Sequence, residues 1–436
     1  MYRPRPDHEL RFKREIMAHL GTRTWDESIR DPEQVNEAVQ FMFGFCSAAM
    51  QETLPKIASR DFVSFLLAQH DAWEAVRAVN NDGRLSEEDT DFWARWGVLA
   101  KRAIHHVLEQ IAVLQPGESP AADEAELVWL MDRAMIAAEV LVQGALQSTL
   151  VYAVFPDDVE LRIRLDNPEE YYSFQLAPDL RERMSSFVNR RNRPVPERYR
   201  EFLNSDARDV VAALDDVFKA EHGITLTQVL GAGRAAHEFS AKAENEGFDV
   251  RFVLRDVVLE ATAQNLGIGR ETLEPLFAGF VLAPSAAVER MLWKPKQEPR
   301  VLRRPYVEMP HELGVHYSWV GSLVMNALMF RVQDLAFGRC PAEWETEAIR
   351  DAIIKFTQGL DGAWERTVEA ELVSRGFRAV RSLKSIDGLR LDQEGRPGEI
   401  DLLLVDADGS LVVGEVKRTQ PTYDPSYWRA ELDEYV

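Results

Sequence analysis

The chain has 436 residues, 46% of them apolar, and a formal net charge of −21. That length divides into two or three domains with ample apolar residues for their cores. So acidic a chain argues against a protein that coats nucleic acid, while leaving room for one that grips it through local basic patches.

Cys46 and Cys340 lie nearly 300 residues apart and make no disulfide framework, which points to a reducing compartment, the cytoplasm. The opening MYRPRPDHELRFKREI lacks the apolar stretch of a signal peptide. Residues 1–155 read as a helical domain. Between Ser86 and Gln115 the apolar set Phe92, Trp96, Leu99, Ala103, Val107 and Ile111 recurs at steps of three to four. Ser86 stands before an acidic first turn, as a helix start requires. PGESPA at 116–121 breaks the pattern. The next helix, about Asp123 to Phe155, contains the run Met135–Phe155, which is long enough to span a bilayer. It also carries Glu139, Gln143 and Gln147, and no basic residues follow it, so a buried central helix is expected and no membrane partner.

Residues 156–345 read as mainly helical with short strands. VELRIRL within 157–177 alternates as a strand does, helical patterns cover Pro196–His222 and much of 226–292, and Arg300–Ser322 reads as a hairpin. Two stretches are locally basic. Arg181–Arg200 holds seven Arg and two Glu; Lys294–Arg304 holds five basic residues and one Glu. Either they are solvated loops, or Arg190, Arg191, Arg193, Lys294, Lys296, Arg303 and Arg304 form a phosphate-contacting surface. Neither interleaves enough aromatics for base stacking.

Two motifs are set aside. In HELGVH, 311–316, the histidines are five residues apart, about 140° round a helix, so they would not share a metal there. Both are expected in a loop or strand. GAGRAA, 231–236, resembles a dinucleotide-binding turn, but FDVRFVLRD places Asp249 and Arg251 where a buried parallel strand needs aliphatic residues.

A helix from about Glu343 to Leu360 leads to Gly362, where the character changes; residues 346–436 read as a separate small α/β domain. GAWERTVEAELVSRG, 362–376, is an amphipathic helix with Val368, Leu372 and Val373 on one side and Glu365 in its first turn. FRAVRSL is a strand. GEIDLLLVDADGSLVVGEVK, 398–417, is a hairpin of an apolar strand suited to burial on both faces, a tight turn at ADG, and a return strand Leu411–Val416. Folding the hairpin brings Asp401 beside Glu415. Two carboxylates forced together repel, unless a cation lies between them. Oxygen-only ligation suits Mg²⁺, for which Mn²⁺ can substitute. Residues 415 and 417 share a strand face, so Lys417 reaches the same place. The competing reading is an ordinary ion pair of Glu415 with Lys417 and an Asp401 that caps a turn.

A helix with a glutamate, a strand, a strand with Asp and a strand with Glu-x-Lys together resemble the PD-(D/E)XK nuclease superfamily, the restriction-endonuclease-like fold. GEIDLLLVDADGSLVVGEVK is most similar to its Holliday-junction-resolvase-like branch. The resemblance covers residues 362–436. It implies Asp401 and Glu415 as metal ligands with the carbonyl of Val416, Lys417 as catalytic lysine, Glu365 as auxiliary acid, and Mg²⁺-dependent hydrolysis of phosphodiesters, usually in DNA. Ile400 stands where the family has proline, and residues 418–436 hold material for a helix but no fourth strand. Either the sequence is a fragment, or the sheet edge is expected to be completed by a strand from the helical region, a second copy or a partner protein. The expected function is a DNA endonuclease with a helical sensing or partner-binding region, in restriction, anti-phage defence or repair. The alternatives are a non-catalytic DNA-binding or assembly protein and an RNA nuclease.

Overall fold

The computed structural model describes residues 2–114, 123–149, 151, 158–177, 197–240, 250–284, 292, 298–386, 389–391, 400–405, 409–414 and 416. The first elements are α1 (Pro6–Leu20), β1 (Ser28–Ile29), α2 (Pro32–Ile57), α3 (Arg60–Asn81), α4 (Glu87–Phe92), a π-helical turn (Trp93–Gly97), α5 (Val98–Leu114) and α6 (Glu124–Thr149). Next come β2 (Val159–Ile163), β3 (Tyr172–Leu176), α7 (Glu197–His222), α8 (Leu226–Ser240), β4 (Arg251–Leu254), α9 (Arg255–Leu266), α10 (Arg270–Phe277) and β5 (Val281–Leu282). The rest are β6 (Tyr306–Met309), β7 (His316–Trp319), α11 (Gly321–Ala336), α12 (Glu347–Ser374), β8 (Arg378–Leu383), β9 (Ser385–Ile386), β10 (Leu389–Arg390), β11 (Ile400–Val405) and β12 (Leu411–Gly414).

By internal contacts the described residues group into two units. One lies within Met1–Val195 and Gln228–Arg331, the other within Pro196–Thr227 and Val332–Pro421. The grouping does not follow the linear segments 1–155, 156–345 and 346–436, because α7 joins the C-terminal elements.

In the first unit α6 is the central helix, as its composition requires. It packs along α2 and against α1 and α5. Its small residues Ala134, Ala137 and Ala138 are buried, which lets neighbouring backbones approach, while Met135, Leu141 and Val142 fill the spaces between them. Each fully buried aliphatic side chain of this size contributes about 2 kcal/mol. Among the described residues no helix is long and apolar enough to cross a membrane.

Ser86 caps α4 by accepting from the Asp89 amide at 3.1 Å. The predicted stripe holds from Ala103 onward but not at its start. Phe92 is 39% exposed, and Trp93 is buried in its place against Trp73, ring centroids 5.7 Å apart. The π turn, with its extra residue per turn, presents Trp93 inward. Gly97 is required there, since a Cβ would overlap the Trp93 ring.

β1, β2 and β3 form an antiparallel sheet in which Val159, Leu161 and Ile163 alternate inward. A second sheet runs β4-β7-β6-β5, and its β6–β7 hairpin is the one expected in 300–322. HELGVH forms the hairpin's turn: His311 is in the loop and His316 in β7. GAGRAA lies wholly inside α8, so no phosphate-binding turn exists at that place.

In the second unit α7 packs on α12, burying Val210, Leu214 and Phe218 with Ile349 and Ile353. Thr346 caps α12, its hydroxyl accepting from the Ile349 amide at 3.2 Å. The break expected at 360–362 is absent, and α12 runs 28 residues without interruption. Gly362 costs a helix interior about 1 kcal/mol, less than packing along the helix returns. β8, β11 and β12 form an antiparallel sheet with β11 in the middle, and α12 packs on β8 and β11. β11 is not buried on both faces as expected: Leu402 alone of its residues is buried, at 3% exposed. On either side of the next residue, Leu403, its cross-strand partners Val380 and Val413 are more than half exposed.

Candidate functional site

Asp401 is the second residue of β11, half-buried between two paired strands. Its Oδ2 accepts a hydrogen bond from the Val416 amide at 2.9 Å. The β11–β12 register, Leu402 opposite Gly414 through Val405 opposite Leu411, carries the chain back to this point. Asp401 and Val416 are thereby brought together. Glu415 and Lys417 lie outside the described residues.

Glu365 sits well inside α12 rather than in the first turn of a shorter helix, because α12 begins at Glu347. Its Oε2 accepts from the Ser382 hydroxyl at 2.7 Å. One helical turn on, Glu369 pairs with Arg381 at 3.1 Å. Arg381 and Ser382 of β8 thus anchor two acids of the same helix face. Sequence periodicity does not reveal Ser382: an ordinary strand would send residues 381 and 382 to opposite faces.

The described donors, Asp401 and Glu365, are hard carboxylate oxygens of the kind that suits Mg²⁺. Among the described residues no group of three or more His, Cys, Asp or Glu gathers as a metal cluster. The expected ligand set of Asp401, Glu415 and the Val416 carbonyl is therefore represented by Asp401, held to the Val416 amide.

Of the basic residues expected to contact phosphates, Arg190, Arg191, Arg193, Lys294 and Lys296 lie outside the described residues. Arg303 and Arg304 do not form such a surface. Arg303 is 5% exposed, with its guanidinium 5.7 Å from the Phe330 ring centroid. Arg304 donates to Glu298 at 2.7 Å and to the carbonyls of Ala278 and Val281 at 3.0 and 3.1 Å. These donors are spent inside the protein, tying the 298–304 loop to the turn before β5 and to its first residue.

His311 and His316 approach to 4.7 Å between ring centroids, and His316 stacks on Phe252 at 4.4 Å. Each uses Nδ1 on its own turn: His316 with the Gly314 carbonyl, His311 accepting from the Leu313 amide. They brace the hairpin. An open recess of about 930 Å³ in the first unit is lined by Glu238, Asp256, Glu260 and Arg270, and its predominantly acidic wall is a poor host for phosphates.

Strongly shifted titratable groups lie within the first unit. His70 and His105 share a hydrogen bond of 2.9 Å, and His106 is buried beside them in sequence. Burial pushes His70 and His106 down to about 3 and holds His105 well below the usual imidazole range; nearby cations, Lys101 for His70 and Arg300 for His106, add to it. Protein-family models, curated proteins and solved structures were compared with the chain, and none matches it.

Proposed function

We propose that the second unit is a Mg²⁺-dependent nuclease module that hydrolyses phosphodiester bonds in DNA, with the restriction-endonuclease-like fold. The observation that carries this reading is the Asp401 carboxylate bonded to the amide of Val416, the residue between Glu415 and Lys417 in sequence. An acid reaching across a hairpin to a Glu-x-Lys segment is the arrangement expected of such a site, and a turn-capping aspartate would serve its own neighbours in sequence instead.

In this reading Asp401 and Glu415 hold Mg²⁺ or Mn²⁺ together with the Val416 carbonyl. The bound ion would supply charge to a phosphate oxygen and lower the pKa of a bound water. Lys417 orients the attacking water or offsets the negative charge that develops on the phosphate. Glu365, fixed by Ser382, is the auxiliary acid. The largely helical first unit senses a partner, a DNA structure or another signal, in restriction, anti-phage defence or repair. The net charge of −21 repels bulk nucleic acid and restrains indiscriminate cutting.

The test is a panel of plasmid, linear, branched and single-stranded DNA and RNA, each incubated with the purified protein in Mg²⁺ or in EDTA. Mg²⁺-dependent cutting of at least one DNA supports the proposal. Cutting of RNA alone moves the substrate class, and binding without cutting in Mg²⁺ and Mn²⁺ favours a non-catalytic module.

A further inference from the structure

Ser382 is the one non-glycine residue with a left-handed backbone among the described residues, at φ 51°. That conformation carries a steric penalty for any residue with a Cβ, and it persists only where the surroundings enforce it. Here its consequence is visible. Consecutive strand residues point to opposite faces, yet Arg381 and Ser382 both reach α12, one to Glu369 and the other to Glu365. The backbone turn at Ser382 breaks the alternation and delivers the hydroxyl to Glu365. Arg381 also donates to that hydroxyl at 3.4 Å, so the oxygen accepts from one side and donates to the other.

The place in the sheet matters as much as the bond. The ladder pairs Arg381 with Leu402 and Leu383 with Ile400 and skips the position between them, so by count along the strands Ser382 stands across from Asp401 without pairing to it. We infer that Ser382 is a positioning residue: it spends backbone strain to hold the Glu365 carboxylate at the level of the sheet where Asp401 stands. The inference rests on the proposed nuclease reading of Asp401. Glu365 has three side-chain torsions and otherwise sweeps a wide arc; the hydrogen bond fixes it before any ligand arrives.

Three substitutions separate this role from a structural one. Ser382→Gly removes both strain and hydroxyl, Ser382→Ala removes the hydroxyl, and Ser382→Thr keeps it on a β-branched residue that fits a left-handed backbone poorly. Full-length variants are melted, titrated with Mn²⁺ by calorimetry, and assayed for cleavage. Ser382→Gly is expected to melt at or above wild type while its Mn²⁺ affinity falls about tenfold, and Ser382→Thr to melt lower while keeping wild-type affinity. Stability and function then rank in opposite orders. In a Glu365→Gln background, Ser382→Gly should weaken Mn²⁺ no further.

If melting temperature and Mn²⁺ affinity fall together across the series, or if the two losses add in the double variant, the inference is overturned. A wild type that binds Mn²⁺ and cleaves, beside a Ser382→Gly variant equal to it, removes the inference and leaves the nuclease reading standing. A wild type that binds no Mn²⁺ removes both.

Discussion

The carboxylate of Asp401 accepts a hydrogen bond from the amide of Val416 at 2.9 Å, joining the start of β11 to the chain returning from β12. That bond has an energetic consequence beside the chemical one. Relief of repulsion between two acids is expected to stabilise an Asp401→Ala protein without metal, but losing the bond to Val416 costs about 1 kcal/mol. The two roughly cancel, so Asp401→Ala should melt within a few degrees of wild type.

Metal should separate them. Mg²⁺ at ten times its Kd stabilises a protein that binds it only when folded by about 1.4 kcal/mol. Wild type is expected to gain this increment on adding Mg²⁺, and Asp401→Ala to gain none. Differential scanning calorimetry with and without Mg²⁺ checks it; equal gains in both proteins would remove Asp401 from the ligand set.

The buried histidines give a pH dependence of definite sign. His106 is held at about 3 when folded against an ordinary value of 6.5, so the unfolded chain takes up a proton that the folded one refuses. Its contribution to stability is complete above pH 6.5 and is lost as the pH falls towards 3. Asp132 and Glu139, raised by burial to about 6 and 7, act in the opposite sense and are common to wild type and variant. His106→Leu should therefore lie about 2 kcal/mol further above wild type at pH 5 than at pH 7.5. Urea titrations at the two pH values measure the difference, and an unchanged gap would show that His106 titrates normally in the fold.

Arg304 and the lysines of the same basic stretch should behave differently. Arg304→Ala removes donors from Glu298 and two backbone carbonyls and should cost about 2 kcal/mol. Below its melting temperature it should keep DNA affinity. Lys294→Ala and Lys296→Ala should each lower affinity and reduce the salt slope by about 1. Fluorescence anisotropy across a salt series distinguishes the cases.

The edge of the sheet offers a fifth check. Leu411, Val412 and Val413 are 65, 46 and 63% exposed, with no charged side chain among them to guard the strand. Val413→Lys should leave stability within about 0.5 kcal/mol, as surface changes do, while lowering concentration-dependent association. Light scattering over a dilution series reads this. A large fall in melting temperature would mean the side chain is covered in solution.

Much of this organisation is legible in the chain. α6 declares itself through its apolar circumference, α4 through Ser86 and three acids after it, and the β11–β12 hairpin through its apolar runs around a turn signal. The order Glu365, Asp401, Glu415, Lys417 is visible as spacing. The losses have physical causes. A π turn shifts which aromatic faces inward, and nothing in the spacing of Phe92 and Trp93 announces it. Gly362 reads as a boundary because propensity is local, whereas the packing that carries α12 through it is not. Arg303 and Arg304 look like solvated charge because their partners, Glu298 aside, are distant in sequence. Ser382 is hidden because its role depends on a backbone angle that breaks the strand period.

The most direct test is the single-turnover rate of DNA cleavage in Mg²⁺ by wild type, Asp401→Asn, Glu415→Ala and Lys417→Ala, with melting curves recorded alongside. Wild type should cleave, and each variant should lose at least about a hundredfold in rate while melting within a few degrees of it. A Glu415→Ala or Asp401→Asn protein that is folded and cleaves at the wild-type rate would contradict the account.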